Sequence, residues 1–147
     1  MAKIRLTKEF SFEAAHFLGG YDGLCRYIHG HSYRMFVTVK GEPNGDALSP
    51  KYGMVVDFKE LKKIVNEEVV DRLDHALVVR KGDTPAALLD AEFCNLVSVD
   101  YQPTCENMIV DFAERISSRL PQGVELHSLK LYETATSYAE WYAEDNR

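Results

Sequence analysis

Histidines 16, 29 and 31, with a single cysteine at 25 between them, are the residues whose types and spacing can do chemistry. Phe12-Glu13-Ala14-Ala15-His16 has the pattern of a strand. In His29-Gly30-His31-Ser32-Tyr33 the two imidazoles stand at i and i+2, so on a strand they face the same way. Three neutral imidazoles converging on one side of a sheet make a zinc site with one position open. That is the arrangement of catalytic zinc, because a structural site closes its coordination with a fourth protein ligand. Cys25 adds a thiol able to move protons; an isolated thiol ionises near about 8.5, so such a group needs an imidazole or metal beside it to work near neutral pH. Taken singly, His16 reads as a half-buried strand histidine and His29-Gly30-His31 as a weak motif. Together with Cys25 they favour the metal.

Composition bounds what surrounds this cluster. A chain of 147 residues with 46% hydrophobic and 11% aromatic content suits one domain over 1–147 with a full core and no need of staples. A formal net charge of -6 argues against a general nucleic-acid binder, which needs a basic surface, while a local group of Lys and Arg can still receive a small anion. The cysteines, Cys25, Cys94 and Cys105, are odd in number and follow no secretory leader, so the expectation is reduced thiols in a cytoplasmic protein. No apolar run approaches a membrane span, and no membrane partner is expected.

The elements that must position the cluster follow from periodicity. Residues 4–17 alternate, with Phe10, Phe12, Ala14 and His16 on one face, and residues 33–40 alternate again through Tyr33, Met35, Val37 and Val39. Read as neighbouring antiparallel strands, they bring His16 to His29 and His31. The glycine-rich loop around Cys25 lies between them. Asp57 is a good helix cap, with Glu60 completing a capping box and Val56 and Leu61 forming a staple; apolar spacing then carries the helix to about Leu73. A second helix opens at Pro103-Thr104 and ends before Pro121 and Gly123. Strands at 124–133 and 137–143 finish the chain. The order predicts an α+β protein, a four-stranded antiparallel sheet with two helices on one face. The segment 78–102 fits least well: Thr84-Pro85 predicts an inserted helix and residues 96–101 a short strand.

These residues resemble the 6-pyruvoyltetrahydropterin synthase superfamily, and most closely its bacterial 6-carboxytetrahydropterin synthase branch in queuosine biosynthesis. The likeness rests on an ordered set: Phe12-Glu13-Ala14-Ala15-His16, Cys25-Arg26-Tyr27-Ile28-His29-Gly30-His31, Gly53-Met54-Val55-Val56-Asp57-Phe58, Leu73-Asp74-His75, Pro103-Thr104-Cys105-Glu106-Asn107 and Tyr132-Glu133-Thr134. It implies the tunnelling fold, in which subunits close their sheets into a trimeric barrel and two trimers stack as a homohexamer. It also implies a pterin triphosphate substrate, zinc held by His16, His29 and His31, and Cys25 as the proton-transferring thiol. Asp74 and His75 match the family's catalytic pair, Glu133 its pterin anchor, and Thr104, Cys105 and Glu106 the stretch lining the pterin pocket. Arg26 is a candidate for the triphosphate.

Three branches compete. Pyruvoyl-forming members place more residues between the cysteine and His-Gly-His than Arg26, Tyr27 and Ile28, so the short spacing favours the carboxy-forming reaction. A folate-pathway variant carries glutamate where this chain has Arg26. Compact members also join the Asp-His pair to the Pro-Thr motif more briefly, which marks 78–102 as an insertion. Plainer readings stand beside these: Cys94 and Cys105 as packing residues, Asp74-His75 as a helix end, Thr104 as a cap and nothing more, Glu133 on a solvated face, His127 as surface or packing. A zinc-holding pterin-binding module without catalysis is the alternative of another class. Intact Cys25, Asp74 and His75 weigh against it.

Overall fold

Two long strands form the spine of the molecule because their apolar residues alternate almost without interruption. In the computed structural model, which describes residues 2–84 and 92–147, β1 (Ile4–His16) and β2 (His29–Gly41) pair antiparallel from Ile4 opposite Gly41 to His16 opposite His29. Phe10, Phe12 and Ala14 of β1 and Tyr33, Met35, Val37 and Val39 of β2 are buried on the same face. Four more strands complete the sheet: β3 (Ala76–Arg80), β4 (Leu96–Val99), β5 (Glu125–Tyr132) and β6 (Tyr138–Tyr142), in the order β4-β3-β1-β2-β5-β6.

A helical layer covers the apolar face. Helix α1 (Phe58–Val65) starts at Asp57, whose carboxylate accepts from the Lys59 N–H at 2.9 Å and from Lys51 Nζ at 2.7 Å. One π-turn (Asn66–Val70) carries the run into a final short turn, α2 (Asp71–Leu73), so the apolar series Leu61, Val65, Val69, Leu73 stays against the sheet. Helix α3 (Cys105–Ser117) is capped by Thr104 Oγ1, which accepts from the Asn107 N–H at 3.1 Å, and buries Met108, Ile109, Phe112, Ala113 and Ile116. The edge of Phe112 meets the Phe12 ring at 6.2 Å and ties the layers together.

The predicted antiparallel strands are β1, β2, β5 and β6. To them the structure adds two short strands in parallel: β3 pairs with the end of β1 at Ala14–His16, and β4 pairs with β3. Their sequences, Ala-Leu-Val-Val-Arg and Leu-Val-Ser-Val, are brief apolar runs without a distinguishing period, and such runs suit strands buried on both faces. The strand predicted at 96–101 is β4, two residues shorter. The helix predicted from Thr84-Pro85 lies outside the described residues beyond Thr84.

A bulge in β5 matters for the site. Ser128 pairs with Thr38 and Leu126 with Val39, leaving His127 as an extra residue. With this offset Leu126, Leu129 and Leu131 all face the helices, and Glu133, two residues on, shares their face. Among the described residues no helix is long and apolar enough to cross a membrane.

Candidate metal centre

The imidazoles stand where the core face of the sheet runs past the start of α3. His16 and His29 are direct cross-strand partners and His31 is paired with Ala14, so strand alternation puts all three side chains on the helix side. Their ring centroids lie 4.6, 4.9 and 5.1 Å apart. His16 is 2% exposed, the one buried polar residue of the described core.

Backbone carbonyls fix which nitrogen each ring offers. His16 Nδ1 lies 2.7 Å from the Pro103 carbonyl oxygen, and His29 Nδ1 lies 2.7 Å from that of Tyr27. A carbonyl only accepts, so each Nδ1 carries the proton and each Nε2 keeps its lone pair. The Nε2 atoms of His16, His29 and His31 are all buried without a hydrogen-bond partner among the described residues. Orphaned buried nitrogens are costly unless something binds them. Three Nε2 atoms brought together, those of His16 and His29 on rings oriented by carbonyls behind them, fit a zinc-type ion.

Glu133 joins them. One ligand atom from each of His16, His29, His31 and Glu133 lies within 4.8 Å of the others, a cluster able to hold a metal ion. Glu133 Oε1 is 2.9 Å from His31 Nε2 and 3.5 Å from His16 Nε2, close enough for ion pairing but without hydrogen-bond alignment. The imidazoles, His16 foremost, hold the Glu133 carboxyl below its ordinary range against the opposing effect of burial. Burial in turn pulls the His31 imidazole below its usual value; Glu133 opposes that shift, and the other two histidines reinforce it. A neutral His31 is the form a metal requires.

Cys25 is half-buried in a short 3-10 turn (Leu24–Arg26) on the loop joining β1 to β2, where its carbonyl accepts from the Leu18 N–H at 2.8 Å. Arg26, exposed, stacks on Tyr27 at 4.8 Å and donates to its hydroxyl at 2.7 Å. Cys105 is buried and its thiol donates to the Leu131 carbonyl at 3.4 Å; burial, helped by the charge of Glu133, pushes it up to about 12. It is a neutral packing group beneath the cluster. Glu106 is exposed on the first turn of α3 beside the Thr104 cap. His127 is half-buried at the bulge, against Ser128 and the Tyr142 ring.

Asp74 and His75 are not members of the imidazole–Glu133 cluster, although His75 and His31 both line a cavity of about 400 Å³. Asp74 Oδ1 accepts from the Glu13 N–H at 2.8 Å, and Asp74 Oδ2 is 3.0 Å from His75 Nδ1. The His75 N–H donates to the Glu13 carbonyl. His75 adopts φ 63°, a left-handed conformation uncommon outside glycine, and its side chain is 80% exposed. The pair is thus docked on the edge of β1, with its imidazole presented outward. Sequence reasoning missed the carbonyls of Pro103 and Tyr27, and also Tyr33, whose buried hydroxyl lacks a partner among the described residues and is pushed far above its usual range by burial. A cavity of about 720 Å³ lies elsewhere, lined by Lys3, Lys40, Lys51, Asp57 and Glu125 among others. Lys40 is paired there with Glu125 and Lys51 with Asp57, and we place the chemistry at the imidazoles.

The sequence pattern of the 6-pyruvoyl tetrahydropterin synthase family matches residues 5–144. The chain is 34% identical over 143 residues to a 6-carboxy-5,6,7,8-tetrahydropterin synthase of Haemophilus influenzae, covering 93% of this chain and 97% of that one. It is 33% identical over 138 residues to a protein of the same name from Synechocystis, covering 94% and 92%. Among solved structures, an uncharacterized protein of Wolinella succinogenes superposes with a TM-score of 0.77 at 23% identity over 97% of this chain and 99% of that one. The 6-pyruvoyl tetrahydropterin synthase of Caenorhabditis elegans superposes with 0.68 at 26% identity over 97% of each chain. The topology is that of the α+β tunnelling fold, and the chain belongs to the 6-pyruvoyl tetrahydropterin synthase family.

Proposed function

We propose that this protein is a zinc-dependent carbon–carbon lyase that converts 7,8-dihydroneopterin triphosphate and one water to 6-carboxy-5,6,7,8-tetrahydropterin, acetaldehyde and triphosphate, in the queuosine pathway. The observation that carries the reading is the convergence of three Nε2 atoms without a hydrogen-bond partner among the described residues, two of them on carbonyl-oriented rings, beside the loop that bears Cys25. The names of the relatives and the short Cys25–His29 spacing support the carboxy-forming branch. Zinc held by His16, His29 and His31 supplies Lewis acidity toward the substrate's side-chain hydroxyls. Cys25 removes the side-chain proton. Asp74 orients His75 as its partner in a relay, and the outward presentation of this pair favours service to a neighbouring subunit's site. Glu133 is assigned to the pterin, whose N–H groups match its two acceptor oxygens, with Thr104, Cys105 and Glu106 along the ring's other side.

The test is Cys25→Ala. This variant should keep zinc and bind the pterin while releasing no acetaldehyde, because the thiol moves protons and does not hold the metal. Turnover near the wild-type rate would remove Cys25 from the mechanism. Zinc lost along with activity would make it a ligand.

A further inference from the structure

We infer that Gln102 is a positioning residue, the tie that fixes the Cys25 loop to the metal-binding end of the sheet. Residues 102–104 form a junction at which each member holds a different part of the site. The Gln102 side chain donates from Nε2 to the Gly19 carbonyl at 3.0 Å, the Pro103 carbonyl receives His16 Nδ1 at 2.7 Å, and the Thr104 hydroxyl caps α3. The junction is itself braced, since Asn107 Nδ2 donates to the Gln102 carbonyl at 3.1 Å.

Gly19 opens the loop that carries Cys25. Inside the loop the chain is closed by Leu18 N–H to the Cys25 carbonyl and by the turn bonds of Gly23 with Arg26 and Leu24 with Tyr27. These bonds shape the loop, yet they do not fix it against α3. Among the described residues, the Gln102 amide supplies the side-chain hydrogen bond that does so. Its orientation is determined, because turning the amide over would set Oε1 against the Gly19 carbonyl, two acceptors facing each other. Held this way, Oε1 is buried without a donor among the described residues. An apolar side chain would avoid that cost, so the grip on Gly19 is what accounts for an amide here.

This inference deepens the proposed function, and it rests on that reading only for the catalytic consequence. The experiment uses the zinc-loaded full chain and compares Gln102→Met, which keeps length and loses the donor, with Gln102→Glu, which keeps shape and offers only acceptors. Hydrogen exchange of the peptide spanning 18–28 and the alkylation rate of Cys25, read by mass spectrometry so that Cys94 and Cys105 are scored separately, should each rise about three- to tenfold in both variants. Zinc content should be unchanged, because His16 is held by a backbone carbonyl. The acetaldehyde-forming kcat should fall by at least the same factor with KM little altered. Unchanged exchange and alkylation in Gln102→Met would overturn the tie. Faster exchange with undiminished kcat would keep the tie and overturn its catalytic role. If Cys25→Ala turned over normally, the proposed function would fail while the exchange result still decided the structural claim.

Discussion

At the scale of single residues, the account turns on lone pairs. In the proposed site the neutral Nε2 atoms of His16, His29 and His31 are the ligand set, so His31→Ala should remain folded and lose most of its zinc, measured by metal analysis after gel filtration. Full occupancy in all three single His→Ala variants would refute the site. Protons compete with metal for imidazole nitrogen, so zinc retention should fall as the pH drops through and below the ordinary imidazole range near 6.5. Burial lowers the His31 value, and His31 therefore stays available to metal at a lower pH than a free imidazole would. Glu133 separates two roles. Glu133→Gln exchanges an acceptor for a donor facing the pterin N–H groups, whereas Glu133→Asp keeps the charge and loses reach. A hydrogen bond to a charged group is worth about 1.5 to 3 kcal/mol, so pterin affinity should fall roughly tenfold or more in Glu133→Gln, and less in Glu133→Asp. Zinc should stay bound in both, because three imidazoles remain. Unchanged pterin affinity with loss of zinc would make Glu133 a metal ligand instead.

At the scale of elements, the bulge in β5 lets Leu126 share the face of Leu129, Leu131 and Glu133. Deleting His127 would remove the extra residue and leave Leu126 opposite Val39 and Ser128 opposite Thr38, so Leu126, Leu129, Leu131 and Glu133 would keep one face in plain alternation. We expect this deletion to cost under about 2 kcal/mol in urea unfolding, whereas inserting one residue between Leu129 and Lys130 would turn either Leu129 or Leu131 and Glu133 off the core face and should cost more than about 3 kcal/mol, on the scale of losing a buried leucine. Equal midpoints for the two would show that the alternation is not needed. The same bulge marks the limit of what the sequence discloses. The metal ligands were legible because β1 and β2 keep strict alternation up to His16 and from His29, and helix starts were legible because Asp57 and Thr104 cap through local bonds. The entry of Glu133 into the imidazole cluster was not, since a bulge breaks the period on which face assignment rests. Nor was the parallel pairing of β3 and β4, which depends on contacts with distant β1 and leaves no local pattern.

At the scale of the whole molecule, the sheet has open edges. Residues 4–13 of β1 pair with β2 alone among the described residues, and β6 pairs with β5 alone. Exposed edges of this length invite pairing between copies, and the family resemblance points to closure as a trimeric barrel with two trimers stacked. His75, exposed on the β1 edge, would then be presented to a neighbour. Co-assembly of inactive Cys25→Ala chains with inactive His75→Ala chains should restore part of the activity if sites are shared, and no recovery in verified mixed oligomers would place each site within one chain. Product analysis tests the central claim most directly. Zinc-loaded protein given 7,8-dihydroneopterin triphosphate should release acetaldehyde and triphosphate in equal amounts, with 6-carboxy-5,6,7,8-tetrahydropterin as the pterin product. Triphosphate with a pyruvoyl pterin and no acetaldehyde, or tight pterin binding without turnover, would contradict it.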